Sequence, residues 1–81
     1  MPNKLFAERL NKELDAIGVP SHSLERVDVF SKLLKIPKFK ADAFLEGITV
    51  PDEELLNRIA EEFEVNSDWL VGKSDQRQKK N

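Results

Sequence analysis

Apolar residues in this chain recur at spacings of three and four, in short runs that stop at glycine or proline. Leu5, Phe6, Leu10, Leu14 and Ile17 mark one face of a helix ending near Gly18, which suits a left-handed cap. After the loop "GVPSHS", Ser23 is the candidate N-cap of a second helix carrying Leu24, Val27, Phe30, Leu33 and Leu34. Ile36 precedes a proline and is biased toward extended geometry, whereas Pro37 suits the first turn of a new helix. That third helix is expected to run to about Glu46, with Ala41, Phe44 and Leu45 inward and Gly47 as its cap. In the fourth, Asp52 caps, Glu53 and Glu54 sit at the positive end of the dipole, and Leu55, Leu56, Ile59, Ala60 and Phe63 form the apolar stripe. "NSDWLVG" reads as a short fifth helix, capped by Asn66, with Asp68 in its first turn and Gly72 at its end. No strand pattern or internal repeat competes, so the expected class is all-α, a bundle of five short helices.

A chain of 81 residues with no cysteine must hold itself together by one efficiently packed core, because neither a disulfide nor a Cys-based zinc site is available to staple it. The charged N-terminus and the absence of a long apolar run argue against a signal or membrane-spanning segment, and the expectation is a soluble, cytoplasmic protein. Residues 1–72 are expected to form the domain. The tail 73–81, "KSDQRQKKN", has no apolar residue and is expected to be disordered and basic. The length leaves no expected room for a ligand-binding or self-cleaving domain.

Catalytic readings are weak throughout. His22 lies between Ser21 and Ser23, but adjacent residues in a loop rarely make a nucleophile and base pair, and the reading is a solvated histidine. The acids at 52–54, 61, 62 and 64 lack the spacing and glycine of a calcium loop. The three glycines are isolated, so there is no phosphate-cradling loop. The expectation is a protein that is not an enzyme, with no cofactor, no metal and no small-molecule substrate.

Charge is distributed unevenly beneath a net −2. Residues 1–44 carry eight basic and six acidic side chains, residues 45–72 one and eight, and residues 73–81 four and one. A partner therefore meets faces of +2, −7 and +3 rather than the total. Within this pattern the nine residues from Lys32 to Lys40 hold four lysines and no acid, around the helix break at Pro37. A short helix, a tight turn and a second helix make a helix-turn-helix, whose second helix can lie in the DNA major groove. Lys38 and Lys40 then fall in the first turn of the recognition helix, Lys35 in the turn, and Lys32 one helical turn earlier, where phosphate neutralisation needs them.

The stretch "FLEGITVPDEELLNRIAEEFEVNSDWLVG" strengthens this reading. Its Phe44, Gly47, Pro51, Leu55, Leu56, Ile59, Ala60, Val65, Trp69, Leu70 and Gly72 resemble the frame of the Xre or Cro/phage-repressor family of helix-turn-helix DNA-binding domains. The resemblance covers residues 6–72, and "FAERLNKEL" is similar to the family's first helix, although "GVPSHSLERVD" is a longer connection than usual. It implies a compact five-helix, lambda-repressor-like bundle with helices 2 and 3 as the helix-turn-helix. It also implies sequence-specific, repressor-like binding to double-stranded DNA, commonly as a homodimer on a palindromic operator.

Carried over by position, the implied base-contacting residues are Lys38, Phe39, Asp42 and Ala43. Arg26, at the start of the second helix, joins Lys32, Lys35 and Lys40 as implied phosphate contacts, and Trp69 and Leu70 anchor the core or a dimer edge. Phe39, Asp42, Ala43 and Val27 depart from the polar residues frequent in relatives, and Lys35 replaces the usual turn glycine at a cost of about 1 kcal/mol if its φ is positive. Lys38 can donate to guanine, Phe39 can pack on a thymine methyl, and Asp42 can accept from cytosine N4. The alternative reading is a helix-turn-helix fold used as a protein–protein module, antitoxin-like or adaptor-like, with the acidic face toward a partner. Arg77, Lys79 and Lys80 of the tail either follow a DNA backbone or are simply solvated.

Overall fold

The computed structural model describes residues 2–78 and is all-α. Its helices are α1 (Pro2–Ala16), α2 (Ser23–Leu34), α3 (Lys38–Glu46), α4 (Glu53–Phe63) and α5 (Ser67–Leu70). Among the described residues there is no strand, only an isolated antiparallel bridge between Val65 and Gln78. Among the described residues no helix is long and apolar enough to cross a membrane.

Helix ends follow local chemistry. The Asp52 carboxylate accepts from Leu55 N at 2.9 Å, and the Asn66 side chain accepts from Asp68 N at 3.1 Å, so both expected caps form. Gly47 takes φ +77 at the end of α3, and its missing Cβ lets the backbone of Asn3 and Lys4 on α1 approach to 3.4 Å of where that atom would stand. Two expectations shift by one residue. Ser23 is the first helical residue of α2 rather than its cap, because His22 is the last extended one and its carbonyl receives Arg26 N at 2.8 Å. Pro37 likewise stays extended at the cap position of α3, its carbonyl accepting from Lys40 N and Ala41 N.

The core gathers Phe6, Leu10 and Leu14 of α1 with Phe30 and Leu34 of α2, Ala41 and Phe44 of α3, and Ile59 and Ala60 of α4. Val65, Trp69 and Leu70 close one end. Phe6 and Phe44 meet edge to face, with ring centroids 6.3 Å apart. Two residues assigned inward by spacing point to solvent instead, Ile17 at 58 % exposure and Leu24 at 76 %. Ile17 lies one residue beyond the end of α1, and Leu24 lies in the first turn of α2, at the edge of the bundle and outside its core. Leu45 is half-buried, whereas Leu14 is fully enclosed.

Residues 73–78, expected from composition to be disordered, follow a defined path back across the bundle. Arg77 O accepts from Asn66 N at 2.8 Å, Gln76 O accepts from the Asn66 side chain, and the Arg77 guanidinium grips both oxygens of Glu13 at 2.6 and 2.7 Å. The strap is held by polar bonds over long sequence distance, which an apolar pattern cannot register. Lys79 and Lys80 lie outside the described residues.

Candidate functional site

Lys35 is the pivot between α2 and α3. Its φ of 57° and ψ of 48° place it in the left-handed region, and Ile36 N bonds back to Ser31 O at 2.9 Å, closing α2 in a Schellman-type turn. The backbone then runs extended through Pro37 and turns directly into α3. From α4, Arg58 donates to Leu34 O, adding a cation at the carbonyl end of α2 where the helix dipole favours it. The corner is thus held by backbone bonds and by a side chain of a third helix.

Around this corner Lys32, Lys35, Lys38 and Lys40 are all exposed. Lys32 and Lys38 share one carboxylate: each ammonium lies 3.1 Å from a different oxygen of Asp28. The Lys32 hydrogen bond, followed by that from Lys38, holds the Asp28 carboxyl below its ordinary value. Two cations on one anion leave a local surplus of positive charge, and among the described residues Lys35 and Lys40 make no ion pair. The i,i+4 spacing of Asp28 and Lys32 was legible in the chain; the bond to Lys38, across the turn, was not.

The outward side of α3 carries Lys38, Phe39 and Asp42, all exposed, with Ala43 half-buried beside them. Phe39 is 72 % exposed and lines a shallow groove with Leu24 of α2; Ser23, Val27, Lys38, Asp42 and Glu46 complete the walls. The four expected base contacts therefore share one helix, with Ala43 set back from the rest.

Arg26 is not where phosphate contact requires it. It is 5 % exposed, and its guanidinium donates to the carbonyls of Pro20, Val19 and Asn11, to Asn11 Oδ1 and to Asp15 at 2.5 Å. Five acceptors converge on the one side chain that closes the long 17–22 connection onto α1 and α2, so Arg26 is a structural residue and is withdrawn from the phosphate set. Trp69 and Leu70 are buried in the core, and the indole is flanked by Arg9 and Arg77, whose guanidinium carbons lie 4.8 and 5.9 Å from the ring centre. Arg9 also donates to Trp69 O. Of the two roles open to Trp69 and Leu70, this geometry supports the core anchor.

His22 is exposed in its loop. Among the described residues no group of three or more His, Cys, Asp or Glu side chains is placed to hold a metal ion. No protein-family model, curated protein or solved structure matches this chain.

Proposed function

We propose that this chain is a sequence-specific, repressor-like DNA-binding regulator of the Xre or Cro/phage-repressor type. In this reading α2 and α3 act as the helix-turn-helix of a lambda-repressor-like bundle, and α3 docks in the major groove of a palindromic operator bound by a homodimer in the cytoplasm. The observation that carries the reading is the lysine corner: four exposed lysines gathered on the turn between α2 and α3, in a chain whose net charge is negative. Phosphates attract such a cluster because each neutralised phosphate releases counterions. Lys32, Lys35 and Lys40 take the phosphates, and Lys38, in the first turn of α3, reaches the base edges with Phe39, Asp42 and Ala43 behind it. The reading assigns the protein no catalytic role.

A second reading is a protein interaction module. Exposed Phe39 and Leu24 flanking Asp42 and Glu46 favour it, since an apolar surface edged by acids suits a basic partner segment.

Titration into labelled duplex from the region upstream of its own gene, at about 50 and 200 mM salt with scrambled duplex as control, separates the two. The expected result is tight binding that prefers the native duplex and weakens steeply with salt. Lys38→Glu with Lys40→Glu is expected to abolish it, and Lys32→Met or Lys40→Met to reduce the slope of log K against log salt by about 0.9 each. A folded protein that binds neither duplex at 50 mM salt overturns the DNA reading.

A further inference from the structure

We infer that the groove between α2 and α3 reads the C5-methyl groups of pyrimidines in the major groove, so that thymine, or 5-methylcytosine in its place, is the specificity-determining base of the operator. This rests on the DNA-binding reading above and deepens it: the methyl contact open to Phe39 becomes the one that sets specificity, and Leu24 joins Phe39 in making it.

Leu24 and Phe39 are the two most exposed large apolar side chains among the described residues, at 76 and 72 %. They come from different helices and from positions 15 apart in sequence, yet they line the same groove, together with Val27. Neither contributes to the core, so a core requirement accounts for neither. The base edges of the major groove offer a single apolar group, the thymine methyl; every other feature there is a hydrogen-bond donor or acceptor. Two apolar walls with Lys38 at their edge therefore match a methyl group on a base edge, while Lys32, Lys35 and Lys40, outside the groove, are left for the flanking phosphates.

Asp42 adds a second constraint. It stands three residues after Phe39, on the same side of α3, and borders the groove. An ionised carboxylate only accepts hydrogen bonds, so it rejects guanine O6 and N7 and selects the exocyclic amine of cytosine or adenine. The half-site that fits this surface pairs a methyl-bearing pyrimidine with a neighbouring amine-bearing base.

The test starts with the full chain and a random-sequence duplex pool, enriched over several rounds of binding at low salt. Enriched duplexes are then resynthesised with deoxyuridine replacing thymidine one position at a time, a change that removes only the methyl group. At one or two positions per half-site, uracil is expected to weaken binding about fourfold per methyl, and 5-methylcytosine paired with guanine at that position is expected to bind better than cytosine. Phe39→Ala and Leu24→Ala, both at exposed side chains outside the core and each checked for native helicity by circular dichroism, are expected to bind the thymine and uracil duplexes equally. Enrichment of a sequence whose thymines can all be replaced by uracil without loss overturns the methyl inference and leaves the DNA reading standing. No enrichment by folded protein overturns both, and directs the groove toward a basic protein segment.

Discussion

Asp28 and Lys38, ten residues apart and on different helices, are joined at 3.1 Å across the turn between α2 and α3, and Lys32 takes the other oxygen of the same carboxylate. One acid thereby sets the direction of the lysine that begins α3 and offsets part of the charge the corner presents. In Asp28→Asn both ammonium groups lose their anion. Binding to scrambled duplex is expected to rise several-fold at about 50 mM salt and its salt slope to steepen, while the preference for the native duplex falls. Filter binding at two salt concentrations reads both. A preference unchanged by Asp28→Asn means that the pair does not orient Lys38.

The same carboxylate defines a pH effect. Its folded value lies below the ordinary 3.8, so its contribution to stability is complete above that value and is lost as pH falls through the folded value. Thermal unfolding of the wild type and of Asp28→Asn is expected to differ at neutral pH and to converge as the pH falls through the lowered folded value. Curves that stay equally separated at both pH values contradict the assignment.

Arg26 separates structure from function. Arg26→Ala removes a buried guanidinium and strips its donors from Pro20, Val19, Asn11 and Asp15, and is expected to cost about 2–4 kcal/mol in urea unfolding. Arg26→Lys is expected to recover little, because an ammonium cannot reproduce the guanidinium fork. The folded fraction of either variant should bind duplex with an unchanged salt slope.

The strap is expected to contribute to stability through Arg77. Glu13 is 5 % exposed, and Arg77 contacts both of its carboxylate oxygens, which holds the guanidinium further toward its charged form. Arg77→Ala leaves a buried carboxylate without this partner, at an expected cost of about 1–3 kcal/mol, discounted toward the lower end because Arg77 itself is half exposed. Glu13→Gln in the Arg77→Ala background is expected to restore part of the loss. Chemical unfolding of the four proteins of this cycle measures it, and additive losses would sink the coupling.

Two non-glycine residues sit at positive φ, Lys35 and Glu64, both at 57°. Glycine relieves that geometry, so Lys35→Gly and Glu64→Gly are each expected to stabilise by about 0.5–1 kcal/mol, seen as a rise in Tm of a few degrees. Only Lys35→Gly should also shallow the salt dependence of DNA binding, by about 0.9 in slope. A Glu64→Gly variant that binds more weakly would place the acidic side of the bundle in the interface.

Local rules carried the helices because their causes are local. Asp52, Asn66, Gly47 and the Ile36–Pro37 pair act within a turn of where they stand, and each marks its boundary to within a residue. The positive φ of Lys35 is anticipated only by the resemblance, whose usual turn glycine it replaces. Arg26 failed for the opposite reason: as a cation near the start of α2 it looks like a phosphate contact, and only the path of the 17–22 connection brings the carbonyls of Val19 and Pro20 to it.

The sequence alone determined an all-α chain, its helix ends and most of its core, because side-chain period, capping and proline geometry are properties of neighbours along the backbone. Tertiary structure decided which charges are spent inside the fold and which remain outside. Burial of Glu13 against Arg77, enclosure of Arg26, the sharing of Asp28 by two helices and the joint exposure of Leu24 and Phe39 all depend on approaches between segments distant in sequence. Desolvation and Coulomb energy act through space rather than along the chain, so the roles of these residues emerge only once the helices have packed.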